Sequence, residues 1–491
     1  MTLPLADLLL SPDEMAAVDR AAAASGIDSY GLMEKAGQAV AACALRHYPE
    51  ALRYIVFCGP GNNGGDGYVA ARALRSCGAR IELFHIGDPA KLKGDAARAF
   101  ADCLVVGNAI EHYMPQAGDV VIDAIFGAGL ARPVPDAVAD AIARVTVAGL
   151  PVIAVDLPSG VDGRSGHVLG AAFRAVHTVT FMTRKPGHLL LPGRELSGAL
   201  EVFDIGIPDR IVRAQAGALV AENRPEQWQA SLPATLADTH KFKRGHLVVF
   251  SGSANATGAA RMSAMAGLKA GAGLVTIASP EQALSVNAGA LTAIMLRPVD
   301  NEAALEELLD DKRISAFILG PGFGAGDKAR QFVLALRDRN LVLDADGITS
   351  FRDDPERLFE AFAGGSTHLV LTPHEGEFAR LFPDIAVNDA LSKVDKTRMA
   401  AARAHAAVIY KGADTVIAAP DGRALINANA PPWLATAGSG DVLAGIVGAL
   451  MAQEMPAFEA AAAGVWLHGE TGQRAGKGLT AEDLVAHVRP L

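Results

Sequence analysis

Residues 54–67, YIVFCGPGNNGGDG, place a short apolar run directly before a glycine-rich segment. An apolar run of this length is typical of a strand that is buried on both faces of a parallel sheet. The Ala-rich stretch 68–77 that follows has the length of a helix, so the region predicts a strand, a polar turn and a helix. In an α/β sheet such a turn lies at the carboxyl edge of the strands, where ligands bind.

The residues before this region predict a helix. Ser11 and Glu14 form an S-x-x-E pattern, and Pro12 stands at the first helical position. This pattern is the sequence signature of a capping box. We therefore expect an Ala-rich helix that begins here and carries apolar residues as far as Leu32 and Met33.

Apolar runs bounded by Gly and Pro recur through the first half of the chain. They predict strands at 54–58, 79–86, 120–125, 152–155, 178–182 and 200–205. Helix-length stretches such as 135–147 separate most of them. The alternation predicts a Rossmann-like, doubly wound α/β domain over residues 1–213.

A second α/β pattern begins at His246. Between the two patterns, residues 214–238 contain Pro225 and Pro233 and have little strand character, which is typical of a domain boundary. The predicted strands of the second half are 246–250, 273–278, 316–319, 341–343, 368–371, 407–410 and 415–418. We expect a second α/β domain over residues 225–491, different from the first because the halves share no repeated sequence.

Composition excludes several classes of protein. A chain of 491 residues with 50% hydrophobic residues can form more than one core, and its net charge of -10 disfavours binding to nucleic acid. No apolar run reaches the roughly 18 residues of a membrane span, and the N-terminus lacks a basic signal-peptide region. The 4 cysteines form no C-x-x-C pair, so neither zinc nor disulfides are indicated. We expect a cytoplasmic homo-oligomer without nucleic-acid or membrane partners.

Two further predicted strands end in an acid followed by a glycine turn. DAIFGAGLARP occupies 123–133 and DLPSGVDG occupies 156–163. Each acid alone is as well explained by a helix cap or an Asx turn, but three such strand ends would converge on one crevice. Asn63, Asp123 and Ser159 would offer only oxygen ligands there, which suit an alkali or alkaline-earth cation.

Glycine-rich segments also follow predicted strands in the second half. These are GPGFG (320–324), LDADGI (343–348), TPHEGE (372–377), KGADT (411–415) and AGSGD (437–441). In AGSGD the glycines open a helix whose N–H groups face one point, with Asp441 beside it as a base. This arrangement suits the attack of a hydroxyl on a phosphoryl group.

These motifs resemble a known family of two-domain enzymes. GLMEKAG (31–37), GNNGGDG, DAIFGAG and DLPSGVDG, in that order, resemble the N-terminal half of the bifunctional NAD(P)H-hydrate repair enzymes. GPGFG, TPHEGE, KGADT and GSGD resemble the nucleotide-dependent NAD(P)H-hydrate dehydratases, which have a ribokinase-like fold. The resemblance implies an N-terminal epimerase of the R and S hydrates of NADH and NADPH. It implies a C-terminal dehydratase of the S hydrate that uses ADP or ATP, with Mg²⁺.

The resemblance also implies site residues. In the first domain the hydrate would contact Asn62, Asn63, Gly64, Gly65, Asp66, Gly127, Ala128, Gly129, Leu130, Ala131, Arg132, Pro133 and Asp156. A potassium ion, K⁺, would be held by Asn63, Asp123 and Ser159. In the second domain the hydrate would contact Ala260, Gly322, His374 and Asp441, and the nucleotide would contact Lys411, Gly412, Ala413, Asp414, Thr415 and Gly440. The expected base is Asp441 for dehydration and Asp156 for epimerisation, with Asp66 as the rival.

Two alternatives remain open at the level of the sequence. GSGD alone also fits a ribokinase-like kinase of another small molecule, with the N-terminal half as a non-catalytic binding module. The motifs do not distinguish ADP from ATP as phosphoryl donor, or the NADH hydrate from the NADPH hydrate. Glu375 stands where many members of the family have Pro, and Ser439 stands where many have Thr.

Overall fold

The computed structural model describes residues 4–233 and 241–491. The chain divides into two compact units, Met1–Leu219 and Val220–Leu491. The division falls within the segment 214–238 that the sequence marks as a boundary, and residues 234–238 of that segment lie outside the described residues. No helix in the described ranges is both long enough and apolar enough to cross a membrane.

The first unit contains one parallel sheet of seven strands. They are β1 Arg53–Cys58, β2 Ile81–His85, β3 Gly107–Ala109, β4 Asp119–Ala124, β5 Val152–Val155, β6 His177–Phe181 and β7 Ala199–Phe203. Their order in the sheet is β3-β2-β1-β4-β5-β6-β7, which confirms the predicted doubly wound fold. The winding reverses between β1 and β4, so the carboxyl ends of these strands border the crevice in which such sheets bind ligands.

Seven helices are described in this unit. They are α1 Pro12–Ala24, α2 Ser29–His47, α3 Asn62–Ser76, α4 Gly94–Cys103, α5 Asp136–Val147, α6 Gly193–Leu196 and α7 Asp209–Gln215. The predicted capping box is confirmed, because Ser11 Oγ accepts the Glu14 N–H at 3.3 Å and Glu14 Oε2 accepts the Ser11 N–H at 2.8 Å. The prediction of one helix as far as Met33 is wrong: Gly26, at φ 87°, ends the first helix before α2 begins.

The core of the first unit lies on both faces of its sheet. Along β1, alternate side chains face opposite sides, as the period of a strand requires. Tyr54, Val56 and Cys58 belong to the cluster that α1, α2 and α3 complete. Ile55 and Phe57 belong to the cluster on the other face, which α5 completes. This double burial explains the continuous apolar run in the sequence.

The second unit contains a sheet of ten strands. They are β8 Val220–Glu222, β9 His246–Phe250, β10 Leu274–Ser279, β11 Met295–Pro298, β12 Ile314–Leu319, β13 Asn340–Leu343, β14 Leu369–Leu371, β15 Ala407–Tyr410, β16 Val416–Ala418 and β17 Ala424–Ile426. The order is β11-β10-β9-β12-β13-β14-β15-β16-β17-β8. The strands run parallel from β11 to β15, and β16 is antiparallel to both of its neighbours. The α/β class is confirmed, but β8 lies in the segment expected to have little strand character, where it pairs with β17.

Twelve helices are described in the second unit. They are α8 Gly258–Lys269, α9 Leu284–Ala288, α10 Glu302–Leu309, α11 Asp327–Ala335, α12 Asp346–Thr349, α13 Glu356–Ala361, α14 Glu375–Leu381, α15 Pro383–Ala386, α16 Lys393–Ala404, α17 Ser439–Ala452, α18 Ala457–Ala475 and α19 Ala481–His487. From Val442 onward every residue of α17 is buried. A Cβ on Gly445 would lie 2.2 Å from the Ser263 carbonyl oxygen, so this glycine allows α17 to pack closely on α8.

Candidate active sites

A cavity of about 770 Å³ opens at the carboxyl ends of β1 and β4 in the first unit. Its volume is in the range of small-molecule sites. The predicted residues that line it are Asn62, Asn63, Asp66, Gly127, Ala128, Gly129, Leu130, Ala131, Arg132 and Asp156. Asp19 and Lys185, which the sequence analysis did not single out, line it as well. The exposed Pro133 is not among the lining residues.

The glycine-rich segment has a different role from the one predicted for part of it. From Asn62 onward the segment is the start of α3 and not an open loop. A Cβ on Gly64 would lie 2.0 Å from the Gly59 carbonyl oxygen, and a Cβ on Gly65 would lie 2.6 Å from the Met33 side chain. Both glycines are buried and allow close packing of the helix, so they do not face the cavity.

Asp156 follows β5 and forms an ion pair with Lys185, which follows β6. Lys185 Nζ lies 2.5 Å from Asp156 Oδ1, and the Thr180 hydroxyl donates to the same oxygen at 2.9 Å. The other carboxylate oxygen, Oδ2, accepts the Ala128 N–H at 2.9 Å. Burial alone would raise the pKa of Asp156, but the charge and hydrogen bonds around it outweigh burial and hold the pKa at about 2. Asp156 is therefore ionised at neutral pH.

His188 connects the segments that carry this ion pair. Its Nδ1 accepts the Lys185 backbone N–H at 2.9 Å, so its Nε2 carries the proton and donates to the Asp156 carbonyl at 2.8 Å. Burial, together with the charge of Lys185, lowers the pKa of His188 to about 4, and the ring stays neutral. Asp156 has a left-handed φ of 66°, a conformation that side chains other than Gly rarely adopt and that this hydrogen bond helps to hold.

Asp66 lines the same cavity, but its pKa is shifted in the opposite direction from that of Asp156. Burial raises the pKa of Asp66 well above its usual range, and the charges of Asp156 and Asp19 raise it further. Burial also raises the pKa of Asp19, against the opposing charge of Lys185. The cavity thus contains one carboxyl group with a lowered pKa, Asp156, and two with a raised pKa, Asp66 and Asp19. Such a separation provides a proton acceptor and a proton donor in one site.

Asp123 and Ser159 are in direct contact beside this cavity. Ser159 donates its hydroxyl to Asp123 Oδ1 at 2.6 Å and its N–H to Oδ2 at 2.7 Å. Burial raises the pKa of Asp123 to about 6, and no lysine or arginine within the described ranges pairs with it. Asn63 has a buried Nδ2 without a hydrogen-bond partner. A buried carboxylate without a basic partner fits a bound cation with oxygen ligands, whereas the unpaired Asn63 Nδ2 is a hydrogen-bond donor, so only the amide oxygen of Asn63 could bind the ion.

In the second unit, Asp441 lies in the first turn of α17, as AGSGD predicts. Gly438 precedes the helix in a left-handed conformation at φ 84°. The Ser263 hydroxyl donates to the Asp441 carbonyl at 2.8 Å and so ties this turn to α8. Burial and the neighbouring Asp344 raise the pKa of Asp441 to about 6, although the charge of Lys411 opposes the shift. A carboxylate with this pKa is an effective general base near neutral pH.

Lys411 lies beside the start of α17. Its Nζ donates to Asp344 Oδ1 at 2.8 Å and lies 3.9 Å from Glu377 Oε2. A Cβ on Gly440 would lie 3.4 Å from the same nitrogen, which places the ammonium group next to the first turn of the helix. Burial lowers the pKa of Lys411, but the two acids outweigh burial and raise it. A fixed positive charge and the free N–H groups of α17 therefore face one region.

The TPHEGE segment forms the start of α14. Glu377 Oε2 accepts the His374 N–H at 2.9 Å, and His374 Nδ1 accepts the Gly376 N–H at 3.0 Å. The His374 side chain is 55% exposed and is open to a ligand. Glu375, where many relatives have Pro, accepts the Tyr410 hydroxyl at 2.6 Å.

The other predicted residues of this unit lie in the turn after β15, in the segment after β12 and on α8. Gly412 and Thr415 close a turn in which the Thr415 hydroxyl donates to the Gly412 carbonyl at 2.8 Å. Lys393 Nζ lies 2.7 Å from Asp414 in the same turn. Gly322 is left-handed at φ 64°. Ala260 is fully buried on α8, so it presents no surface to a ligand.

Lys185 and Asp344 are the functional candidates that sequence reasoning missed. Asp344 directly follows β13, and Lys185 lies four positions after the end of β6. The only sequence signal for these two residues was therefore their position shortly after a predicted strand. It was insufficient because a single charged residue at such a position is more often solvated than buried in an ion pair.

Comparison with known proteins agrees with the resemblance seen in the motifs. A family described as YjeF-related protein N-terminus matches residues 29–187, and the NAD(P)H-hydrate dehydratase family matches residues 247–488. The bifunctional NAD(P)H-hydrate repair enzyme of Thermofilum pendens is 37% identical over 97% of this chain and 94% of its own length. The enzyme of the same name from Escherichia coli is 32% identical over 90% of this chain and 85% of its own length.

Among solved structures, the ADP/ATP-dependent NAD(P)H-hydrate dehydratase of Bacillus subtilis, co-crystallised with ATP and Mg²⁺, matches 54% of this chain and 95% of its own. Its TM-score is 0.46 and its sequence identity is 23%. The relatives that carry the conclusion are the curated full-length ones, which cover both units. The chain belongs to the family of bifunctional NAD(P)H-hydrate repair enzymes.

Proposed function

We propose that the first unit interconverts the R and S hydrates of NADH and NADPH, and that the second unit dehydrates the S hydrate with ADP or ATP. One observation carries the proposal: each unit holds a carboxylate whose environment prepares it for proton transfer. Asp156 is ionised and lines the same cavity as Asp66, whose pKa is raised by burial, and Asp441 has a pKa of about 6 at the start of α17. Membership of the family supports the same division of labour.

Epimerisation at carbon 6 of the hydrate needs one proton acceptor and one proton donor. Asp156 takes the proton of the hydroxyl group, the bond between carbon 6 and N1 breaks to leave an aldehyde, and Asp66 protonates N1. After the aldehyde rotates, Asp66 recovers the proton from N1, which attacks the other face of the carbonyl. Asp156 then returns its proton to the new hydroxyl oxygen. Both carboxyl groups end in the states in which they began.

The cation site supports the binding of the hydrate beside these groups. A potassium ion held by oxygens of Asn63, Asp123 and Ser159 would supply fixed positive charge next to the cavity. Asp123 is buried, Ser159 is in contact with it, and Asn63 lines the cavity wall. All three residue types donate through oxygen, which is the ligand that potassium prefers.

Dehydration begins with transfer of a phosphoryl group to the hydroxyl of the S hydrate. Asp441 accepts the hydroxyl proton while the hydroxyl oxygen attacks the terminal phosphorus of the nucleotide. The bond from that phosphorus to the bridging oxygen breaks, which releases AMP from ADP or ADP from ATP. The N–H groups at the start of α17 and the ammonium group of Lys411 stabilise the charge on the phosphate oxygens. The bond between carbon 6 and oxygen then breaks, phosphate leaves with the electron pair, and the departing phosphate takes the proton from carbon 5, which restores the double bond.

Mg²⁺ would accompany the nucleotide in this unit. It supplies positive charge to the phosphates when it is bound. Asp344 and Glu377 are buried carboxyl groups near Lys411 and offer oxygen ligands of the kind that Mg²⁺ takes.

The test is to incubate the protein with separated R and S hydrates, with and without ADP or ATP. Absorbance reports recovery of the dihydronicotinamide, and chromatography reports the two hydrates. We expect interconversion without nucleotide and conversion of both hydrates to NAD(P)H with nucleotide. A phosphorylated product that is never converted to NAD(P)H would identify a kinase instead. Absence of interconversion would identify the first unit as a binding module.

A further inference from the structure

A second cluster of chemically reactive side chains lies outside the cavity of the first unit. Cys43 and His47 lie one turn apart on α2, and Glu201 lies on β7, the strand at the edge of the sheet. One ligand atom of each, the thiol sulphur, an imidazole nitrogen and a carboxylate oxygen, lies within 4.8 Å of the other two. The proposed function uses none of these three residues.

The geometry points to a binding site for a divalent transition-metal ion, best matched by Zn²⁺, formed by Cys43, His47 and Glu201. Thiolate, imidazole and carboxylate are the three side-chain ligands of zinc in proteins. Two ligands separated by four positions on one helix project from the same face, as in zinc-binding helices. Three protein ligands leave the fourth tetrahedral position for solvent.

The distances fit an ion of this size. Bond lengths to zinc imply that ligand atoms in a tetrahedral site lie roughly 3.4–3.6 Å apart. His47 Nε2 lies 3.2 Å from Glu201 Oε1, and Cys43 Sγ lies 3.8 Å from the same oxygen. Small rotations of the side chains would therefore complete the site, with no movement of α2 or β7.

The surroundings of the cluster also favour an ion. Arg46 Nη2 donates to Glu201 Oε2 at 3.1 Å, which orients the carboxylate and leaves Oε1 directed at the other two ligands. The His47 ring stacks on His177 with 3.9 Å between the centroids, which holds the plane of the His47 ring. His177 Nδ1 is buried and lacks a hydrogen-bond partner, so a polar atom at this point of the fold is unsatisfied.

Metal binding would exchange a proton for the ion. The thiol releases its proton when the sulphur–zinc bond forms. The bound ion would connect α2 to the edge of the sheet, and α2 also carries Leu32 and Met33 of the cavity wall.

The sequence did not indicate this site because its ligands are not close in the chain. Cys43 has no neighbouring cysteine, and Glu201 is supplied by a strand far along the sequence. A pattern such as C-x-x-C, by which zinc sites are recognised, is therefore absent. Cys43 is buried, as an apolar residue would be, but its sulphur lies 3.8 Å from the Glu201 carboxylate.

The test is a titration of the chelator-treated full-length protein with Co²⁺, followed by displacement with Zn²⁺. We expect one equivalent of Co²⁺ to produce the near-ultraviolet charge-transfer absorption of a thiolate ligand, and Zn²⁺ to abolish it. Cys43→Ala should remove the absorption and weaken Zn²⁺ binding by roughly 10–100-fold or more. Cys77→Ala is the matched control, because Cys77 is exposed and outside the cluster, and it should behave as the wild type.

A second variant separates loss of the ligand from loss of the fold. The His47 side chain is 33% exposed, so His47→Ala should leave the circular dichroism spectrum unchanged while it weakens the binding of both Co²⁺ and Zn²⁺. A wild-type protein without thiolate absorption would overturn the site. A folded Cys43→Ala or His47→Ala protein that binds Zn²⁺ as tightly as the wild type would also overturn it.

Discussion

The two units each direct an aspartate at their candidate site, yet the two carboxyl groups differ in pKa by several units. In the first unit, Lys185 Nζ lies 2.5 Å from Asp156 and lowers the pKa of Asp156 to about 2. In the second unit, the nearby lysine, Lys411, is paired with Asp344 instead, and the pKa of Asp441 is raised to about 6.

The comparison teaches that an aspartate at a glycine-rich turn has no fixed protonation behaviour. An aspartate paired with a buried lysine stays ionised across the physiological range and is available there as a proton acceptor. An aspartate that shares its surroundings with a second acid is a base that can change its protonation state in the physiological range. The partner that decides between these roles comes from another segment of the chain in both units.

Replacing Asp441 should have the largest effect, because it removes the proton acceptor and keeps the shape. Asp441→Asn should lower the rate of dehydration by roughly 10²–10⁴-fold and leave nucleotide affinity nearly unchanged. The rate is measured as recovery of dihydronicotinamide absorbance, and the affinity by calorimetry with ADP. Asp414→Asn, in the turn beside Lys411, should instead change nucleotide affinity. Undiminished turnover in Asp441→Asn would remove Asp441 from the mechanism.

Replacing Lys185 tests the other side of the comparison. Lys185→Met leaves Asp156 buried without its cation and should lower the free energy of unfolding of the first unit by about 3–5 kcal/mol. Denaturant unfolding of the full-length protein measures this loss. The double variant with Asp156→Asn should recover part of it, because neither charge is then unpaired. If both variants unfold alike, the ion pair does not control this site.

The pH dependence should differ between the two activities. Asp441 must be ionised to accept a proton, so kcat/KM for dehydration should fall about tenfold per pH unit below 6 and level off above it. Asp156 stays ionised over this range, so epimerisation should not show the same loss. Epimerisation should instead decline at high pH, where Asp66 loses the proton that it donates. Identical profiles for the two reactions would contradict the assignment.

Removal of potassium should have the smallest effect, and only on the first unit. Replacing potassium with tetramethylammonium, which is too large for the oxygen cluster, should slow epimerisation and leave the affinity for the S hydrate at the second unit unchanged. Asp123→Asn should abolish the response to the ion. Epimerisation that is equally fast in both salts would remove the cation from the account.

Most interior strands of both sheets could be predicted from the sequence, whereas β17 and most edge strands could not. Strands buried on both faces, such as β1 and β9, require a continuous apolar run, and that run is visible. The edge strands β3, β8 and β11 are short and carry polar or exposed residues, so they lack this pattern. Their positions depend on the neighbour with which they pair.

The motifs of the site could be predicted from the sequence, but the ion pairs that set the pKa values of its carboxyl groups could not. Asp156 follows from a glycine turn at a strand end and Asp441 from a glycine-rich helix start, and both patterns are visible in the local sequence. The burial of Lys185 against Asp156 depends on two loops that approach only in the folded unit. Gly64 and Gly65 show the converse, because the same residue type serves packing in a helix where it was expected to serve a ligand.

The most direct test of the account follows the R and S hydrates separately, by chromatography, with Asp156→Ala and with Asp441→Asn in the presence of ADP. We predict that Asp156→Ala converts the S hydrate to NAD(P)H but leaves the R hydrate unused. We predict that Asp441→Asn still interconverts R and S but forms no NAD(P)H. Loss of both reactions in either folded variant would contradict two independent sites.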